Sequence, residues 1–106
     1  MEFKDKILFK VKSVLAREIT LKKRRWDLIA LIKHPSMRSG EKEVEDALND
    51  AFEVRKNKSD PTVFLYYKRQ NEHYVCVIAK HLNGESVVIT AYKTNIIKEG
   101  ELIWSR

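Results

Sequence analysis

Three stretches in the second half of the chain decide the fold: Thr62-Val63-Phe64-Leu65-Tyr66-Tyr67-Lys68-Arg69, Tyr74-Val75-Cys76-Val77-Ile78-Ala79-Lys80 and Ser86-Val87-Val88-Ile89-Thr90-Ala91-Tyr92. Each has strand length and is rich in β-branched and aromatic residues. Asn83-Gly84, between the second and third, is a strong hairpin signal, and Gln70-Asn71-Glu72 suits a tight turn. Upstream, Phe52 to Lys56 reads as a further strand, set off by the turn-rich Asn57-Lys58-Ser59-Asp60-Pro61. These four segments predict an antiparallel meander.

Outward from the meander the period changes. Val44, Ala47, Leu48 and Ala51 fall on one stripe of an amphipathic helix, with Glu41 and Glu43 in its first turn, where the helix dipole favours acids. An earlier helix is expected from about Lys22 to Lys33, with Thr20 as N-cap and Pro35 as its stop. Its centre, Leu28-Ile29-Ala30-Leu31-Ile32, is apolar all round and should be deeply packed. Lys6 to Val11 and Arg17 to Leu21 have weak strand character, and Leu102-Ile103-Trp104 should pack against the body. The expected architecture is α+β: N-terminal helices packed on one face of a four-stranded antiparallel β-sheet, in a single domain over residues 1–106.

Composition narrows the function. The chain has 106 residues, 21 Lys and Arg against 15 Asp and Glu, and one cysteine. One thiol makes no internal disulfide, and no Cys/His spacing resembles a zinc site, so neither metal nor cofactor is predicted. No apolar run reaches the roughly 18–20 residues needed to span a bilayer, and the charged start lacks signal-peptide character. A cytoplasmic domain without membrane contact is expected. Residues 1–40 carry 11 cations against 4 acids, whereas residues 41–106 carry 10 against 11. A basic half on a near-neutral half suits a polyanion, with RNA the favoured partner. A merely solvated face would look similar.

Strand alternation predicts which side chains converge. Val63 and Leu65, Val75, Val77 and Ala79, and Val87, Ile89 and Ala91 read as core. The uncovered face then gathers Arg55, Tyr66, Lys68, Lys80, Thr90 and Tyr92. Cations, hydroxyls and aromatic rings on one open sheet suit a phosphodiester with stacked bases. They equally suit the ordinary polar side of an antiparallel sheet. His34, at the end of the first helix, titrates near neutrality and can exchange a proton, or can simply cap carbonyls. His73 and His81, at strand ends, read as solvated, and Cys76 as a small buried hydrophobe. Lys22-Lys23-Arg24-Arg25 crowds cations at a helix start, where the macrodipole disfavours them by up to roughly 1 kcal/mol each. A bound polyanion, or fraying into water, would relieve that cost.

Arg25-Trp26-Asp27-Leu28-Ile29, His34-Pro35, Val44 to Leu48, Tyr66-Tyr67-Lys68, Thr90-Ala91-Tyr92 and Ile97-Lys98-Glu99-Gly100 span most of the chain. In that order they resemble the small phage and bacterial nuclease-like domains of the barnase–EndoU–colicin–RelE superfamily. Asp27 stands where the family pattern has a second histidine. The resemblance implies a metal-independent endoribonuclease, a toxin or phage-type effector, with a small acidic antitoxin or immunity protein as partner. It implies attack of the ribose 2′-OH on phosphorus, leaving a 2′,3′-cyclic phosphate. On that reading His34 exchanges protons, Arg55 and Lys68 stabilise developing charge, and Thr90 and Tyr92 orient the phosphate. Lys22, Lys23, Arg24, Arg25, Tyr66 and Lys80 would hold the RNA, with Trp26 as a core anchor.

Overall fold

The computed structural model describes residues 5–33, 37, 40–97 and 100–106. Seven strands form one mixed sheet: β1 (Ile7–Lys12), β2 (Glu18–Lys22), β3 (Glu53–Lys56), β4 (Val63–Gln70), β5 (His73–Leu82), β6 (Glu85–Thr94) and β7 (Glu101–Ser105). Their spatial order is β1-β2-β6-β5-β4-β3-β7. This corrects the expected four-stranded antiparallel sheet. The meander β3 to β6 pairs antiparallel in sequence order, but an N-terminal hairpin extends it through a parallel β2–β6 joint. Strand β7 extends the other side by pairing with β3.

The helical part is also smaller than expected. Helix α1 (Lys23–Asp27) continues as a π-helical segment, Leu28–Lys33, and α2 spans Glu41–Asn49. Thr20 lies inside β2 and is buried, so Lys22 rather than Thr20 precedes the first helix. The reason is visible in Glu18-Ile19-Thr20-Leu21-Lys22, which alternates as a strand and buries Ile19 and Leu21 fully. The helices lie on one side of the sheet. Trp26, Ile29 and Ala30 join Val44, Ala47 and Leu48 in the main core, over Val54, Tyr66, Val75, Val77, Val88 and Ala91.

Two features decide which side chains share a face. In β4, Tyr66 points into the main core beneath the helices, while Leu65 and Tyr67 form a second buried cluster with Cys76 on the opposite face. The expected faces of β4 are therefore reversed. Leu65, Tyr66 and Tyr67 are all buried, so this strand has no polar side by which alternation could orient it. In β6 the register shifts: Ile78 pairs with Thr90 but Ala79 with Val88, leaving Ile89 as a β-bulge. Before the bulge Val88 faces the core instead of Val87, and after it Ala91 does. One extra residue flips every side chain on one side of it.

The Asn83-Gly84 signal closes the β5–β6 hairpin, with Leu82 opposite Glu85. Only Gly84 of the pair has positive φ, at 79°. A type I′ turn needs it at both central residues, so the turn has the single left-handed position of a type II turn. Nothing lies within 4 Å of a Cβ added at Gly84, so Gly84→Ala tests backbone strain alone. It should destabilise the fold by about 1 kcal/mol, read as a lower urea midpoint with unchanged slope.

Candidate nucleic-acid interface

Strands β2 and β6 pair through only two positions, Ile19 with Ser86 and Thr20 with Val87. Beyond Thr20, β2 passes directly into α1 at Lys23, and the two strands part. The gap is a cleft of about 240 Å³ lined by Asp5, Thr20, Lys22, Arg24, Arg25, Val87 and Val88. Arg25 reaches across it, donating from Nη1 to the carbonyl of the bulge residue Ile89 at 3.3 Å. Asp5 accepts the Arg24 backbone N–H at 3.0 Å. A wider cleft of about 410 Å³ shares Thr20 and Lys22 and continues towards the β5–β6 hairpin, with Lys10, Arg17, Glu18 and Glu85 on its walls. The two clefts make one groove in which Lys10, Arg17, Lys22, Arg24 and Arg25 face three acids.

Lys80 lies opposite Val87 on β5 but lines neither cleft, and its Nζ is 3.9 Å from the Asp60 carboxylate. Thr90 and Tyr92 follow Val87 along the same face of β6. The Thr90 Oγ1 is buried with no hydrogen-bond partner among the described residues. Burial, and contact with Cys76 and Tyr67, push the Tyr92 hydroxyl well above its ordinary range, so it remains protonated. Lys23 pairs instead with Asp27 one turn along α1, at 2.5 Å.

The remaining predicted site residues are held elsewhere. Tyr66 and Lys68 share the helix-side face, opposite Arg55, Thr90 and Tyr92. Lys68 Nζ donates to the Asp50 carboxylate at 2.8 Å, at the end of α2. Arg55 is on the open face, but it binds Glu53 and donates to the Gly100 carbonyl at 3.1 Å. Ile97, in the return from β6 to β7, packs on the Leu65–Tyr67–Cys76 cluster and covers part of that face. His34 lies outside the described residues. The composite of Arg55, Lys68, Thr90 and Tyr92 therefore does not assemble on one surface.

Tyr66 belongs to a buried polar cluster instead of a stacking surface. Its hydroxyl donates to Ser13 Oγ at 3.0 Å and lies 3.0 Å from His81 Nε2. Ser13 Oγ also accepts the Leu15 and Arg17 backbone N–H groups, which ties the β1–β2 turn to β4 and β5. His81 is 7% exposed and stacks on Phe64 with ring centroids 4.0 Å apart, so it is not solvated as expected. Burial, with Arg17 adding to it, pushes the imidazole down to about 4. Burial likewise pushes the Tyr66 hydroxyl up to about 12. Removing that hydroxyl by Tyr66→Phe leaves Ser13 and His81 short of a partner. The cost should be roughly 1–3 kcal/mol in a denaturation curve.

Sequence reasoning missed Thr20, Lys10 and Arg17 as groove residues. The signal was present for Thr20, because alternation puts Glu18, Thr20 and Lys22 on one face of β2. Comparison with family models, with curated proteins and with solved structures returns no match for this chain. Among the described residues no group of His, Cys, Asp and Glu is arranged to hold a metal ion, and no helix is long and apolar enough to cross a membrane.

Proposed function

We propose that this chain acts on RNA, holding a single strand by its phosphates along the groove between the β1–β2 hairpin and β6. The observation that carries the reading is the convergence of Lys22, Arg24 and Arg25 on one cleft with Thr20, where the parallel joint opens. Phosphate contacts of this kind give affinity without reading sequence. The likeness of the residue pattern to the barnase–EndoU–colicin–RelE superfamily favours RNA over DNA. A small acidic antitoxin or immunity protein would cover the same cations.

The test is a titration of a labelled single-stranded RNA, followed by anisotropy. Lys22→Gln with Arg24→Gln should weaken binding, and Lys68→Gln on the opposite face should not. Equal losses, or none, would overturn the groove as the binding surface.

Cleavage is a second reading, favoured by the Thr90 hydroxyl, which has no partner among the described residues and lies two residues along β6 from the groove wall. The 2′-OH would attack the adjacent phosphorus and the bond to the 5′ oxygen would break, giving a 2′,3′-cyclic phosphate and a free 5′-OH. A base takes the 2′ proton and an acid supplies one to the leaving oxygen. In this reading His34 exchanges the proton, Thr90 donates to a phosphate oxygen, and the groove cations stabilise the added charge. Cyclic ends that form in EDTA and vanish in His34→Ala would support it. Intact RNA with both proteins would reduce the function to binding.

A further inference from the structure

The two edges of the sheet differ in chemistry. On β1 the exposed positions include Lys10 and Lys12, and lysines on an edge oppose pairing with another strand. On β7 the exposed positions are Glu101, Leu102, Ile103 and Ser105, with Leu102 49% and Ile103 37% exposed. No lysine or proline protects this edge. Ile103 also falls at the register shift and has no partner on β3, which pairs Val54 with Trp104 and Arg55 with Leu102.

We propose that β7 is a self-association edge, pairing antiparallel with β7 of a second copy of this chain. The occupant follows from charge and from distance. Antiparallel pairing reverses the partner strand, bringing Glu101 near the partner's Arg106 and the partner's Glu101 near Arg106. Arg106 contacts Asp50 within its own chain yet keeps 59% of its side chain exposed. Repulsion between two chains of charge +6 would ordinarily oppose association. Here the basic groove sits at β2, five strand spacings from β7, or about 24 Å. That is well beyond the Debye length of about 8 Å at physiological salt. The apolar middle of β7, Leu102-Ile103-Trp104, would be shared between the two sheets. Five residues and a bulge bury little area, so the dimer is of the weak class below about 1,200 Å². Nothing in this proposal depends on RNA.

Sedimentation equilibrium tests it at protein concentrations from about 10 to about 500 µM, where an interface of that class is expected to dissociate. The average mass of the parent chain should rise from one chain towards two. Ile103→Lys should stay at one chain with unchanged circular dichroism. In a Cys76→Ser background, Ile103→Cys should form an interchain disulfide under mild oxidant, and Ile7→Cys on β1 should not. A parent that stays at one chain throughout would overturn the proposal. So would a dimer that survives Ile103→Lys, or that crosslinks through position 7 but not 103.

Discussion

At pH 4.5 the fold should be roughly 2–3 kcal/mol less stable than at pH 7.5 through His81 alone. The buried imidazole is pushed down to about 4 in the folded chain, against an ordinary value of 6.5. Above 6.5 both states are neutral and the cluster with Tyr66 and Ser13 is fully retained. Between 6.5 and 4 the unfolded chain takes up a proton that the folded chain refuses, so stability falls with pH across that window. Arg17 sharpens the effect, because it adds like charge beside the ring. Guanidinium unfolding at a series of pH values measures it. His81→Gln should lower stability at neutral pH yet flatten the profile between 6.5 and 4.5. A variant profile as steep as the parent's would assign the acid sensitivity to other groups.

RNA affinity should fall about 50-fold between 50 and 200 mM salt if the groove cations Lys10, Lys22, Arg24 and Arg25 each neutralise one phosphate of a single strand. Four contacts correspond to a slope of about −2.8 in log K against log salt. Replacing Lys10, Lys22 and Arg24 with Gln should leave a slope near −0.7 and weaken binding by about 100-fold at 0.1 M salt. Arg25 is kept in that variant because it also holds the Ile89 carbonyl. An unchanged slope would place the phosphate contacts outside the groove.

How much of the fold was legible depends on where each residue draws its information. The turn at Asn83-Gly84 and the stripe Val44, Ala47 and Leu48 are local patterns, and they correspond to a hairpin and to α2. Strand-forming residues in 6–11 and 17–21 are also local, but their place in the sheet is not. It depends on Ile19 meeting Ser86, a pairing between residues far apart in the chain. Face assignment failed at β4 because Leu65, Tyr66 and Tyr67 are buried alike, so no polar residue marks an outside. It failed in β6 because nothing in Val87-Val88-Ile89-Thr90 announces a bulge. The β4 error alone joined Lys68 and Tyr66 to Arg55, Thr90 and Tyr92. The bulge misplaced only Val87 to Ile89 and left Thr90 and Tyr92 on the face expected for them. The basic cluster Lys22 to Arg25 was legible as composition, whereas its cleft needed the parting of β2 from β6.

That parting has a kinetic consequence. Strands β3 to β6 pair with sequence neighbours and close short loops, so they can form early. The hairpin β1–β2 is local too, but its parallel joint to β6 has two residue pairs and closes a loop containing most of the chain. The burial of Ile19 and Leu21 and the Ser13–Tyr66 bond therefore come only after that closure. Docking of the hairpin should be the late step in folding, and its release the lowest sub-global opening in the native state. Amide hydrogens of β2 at Ile19 and Thr20 should then exchange together, ahead of those in β5. If the groove holds RNA as proposed, its cations Lys10, Arg17 and Lys22 belong to the piece of the fold that docks last.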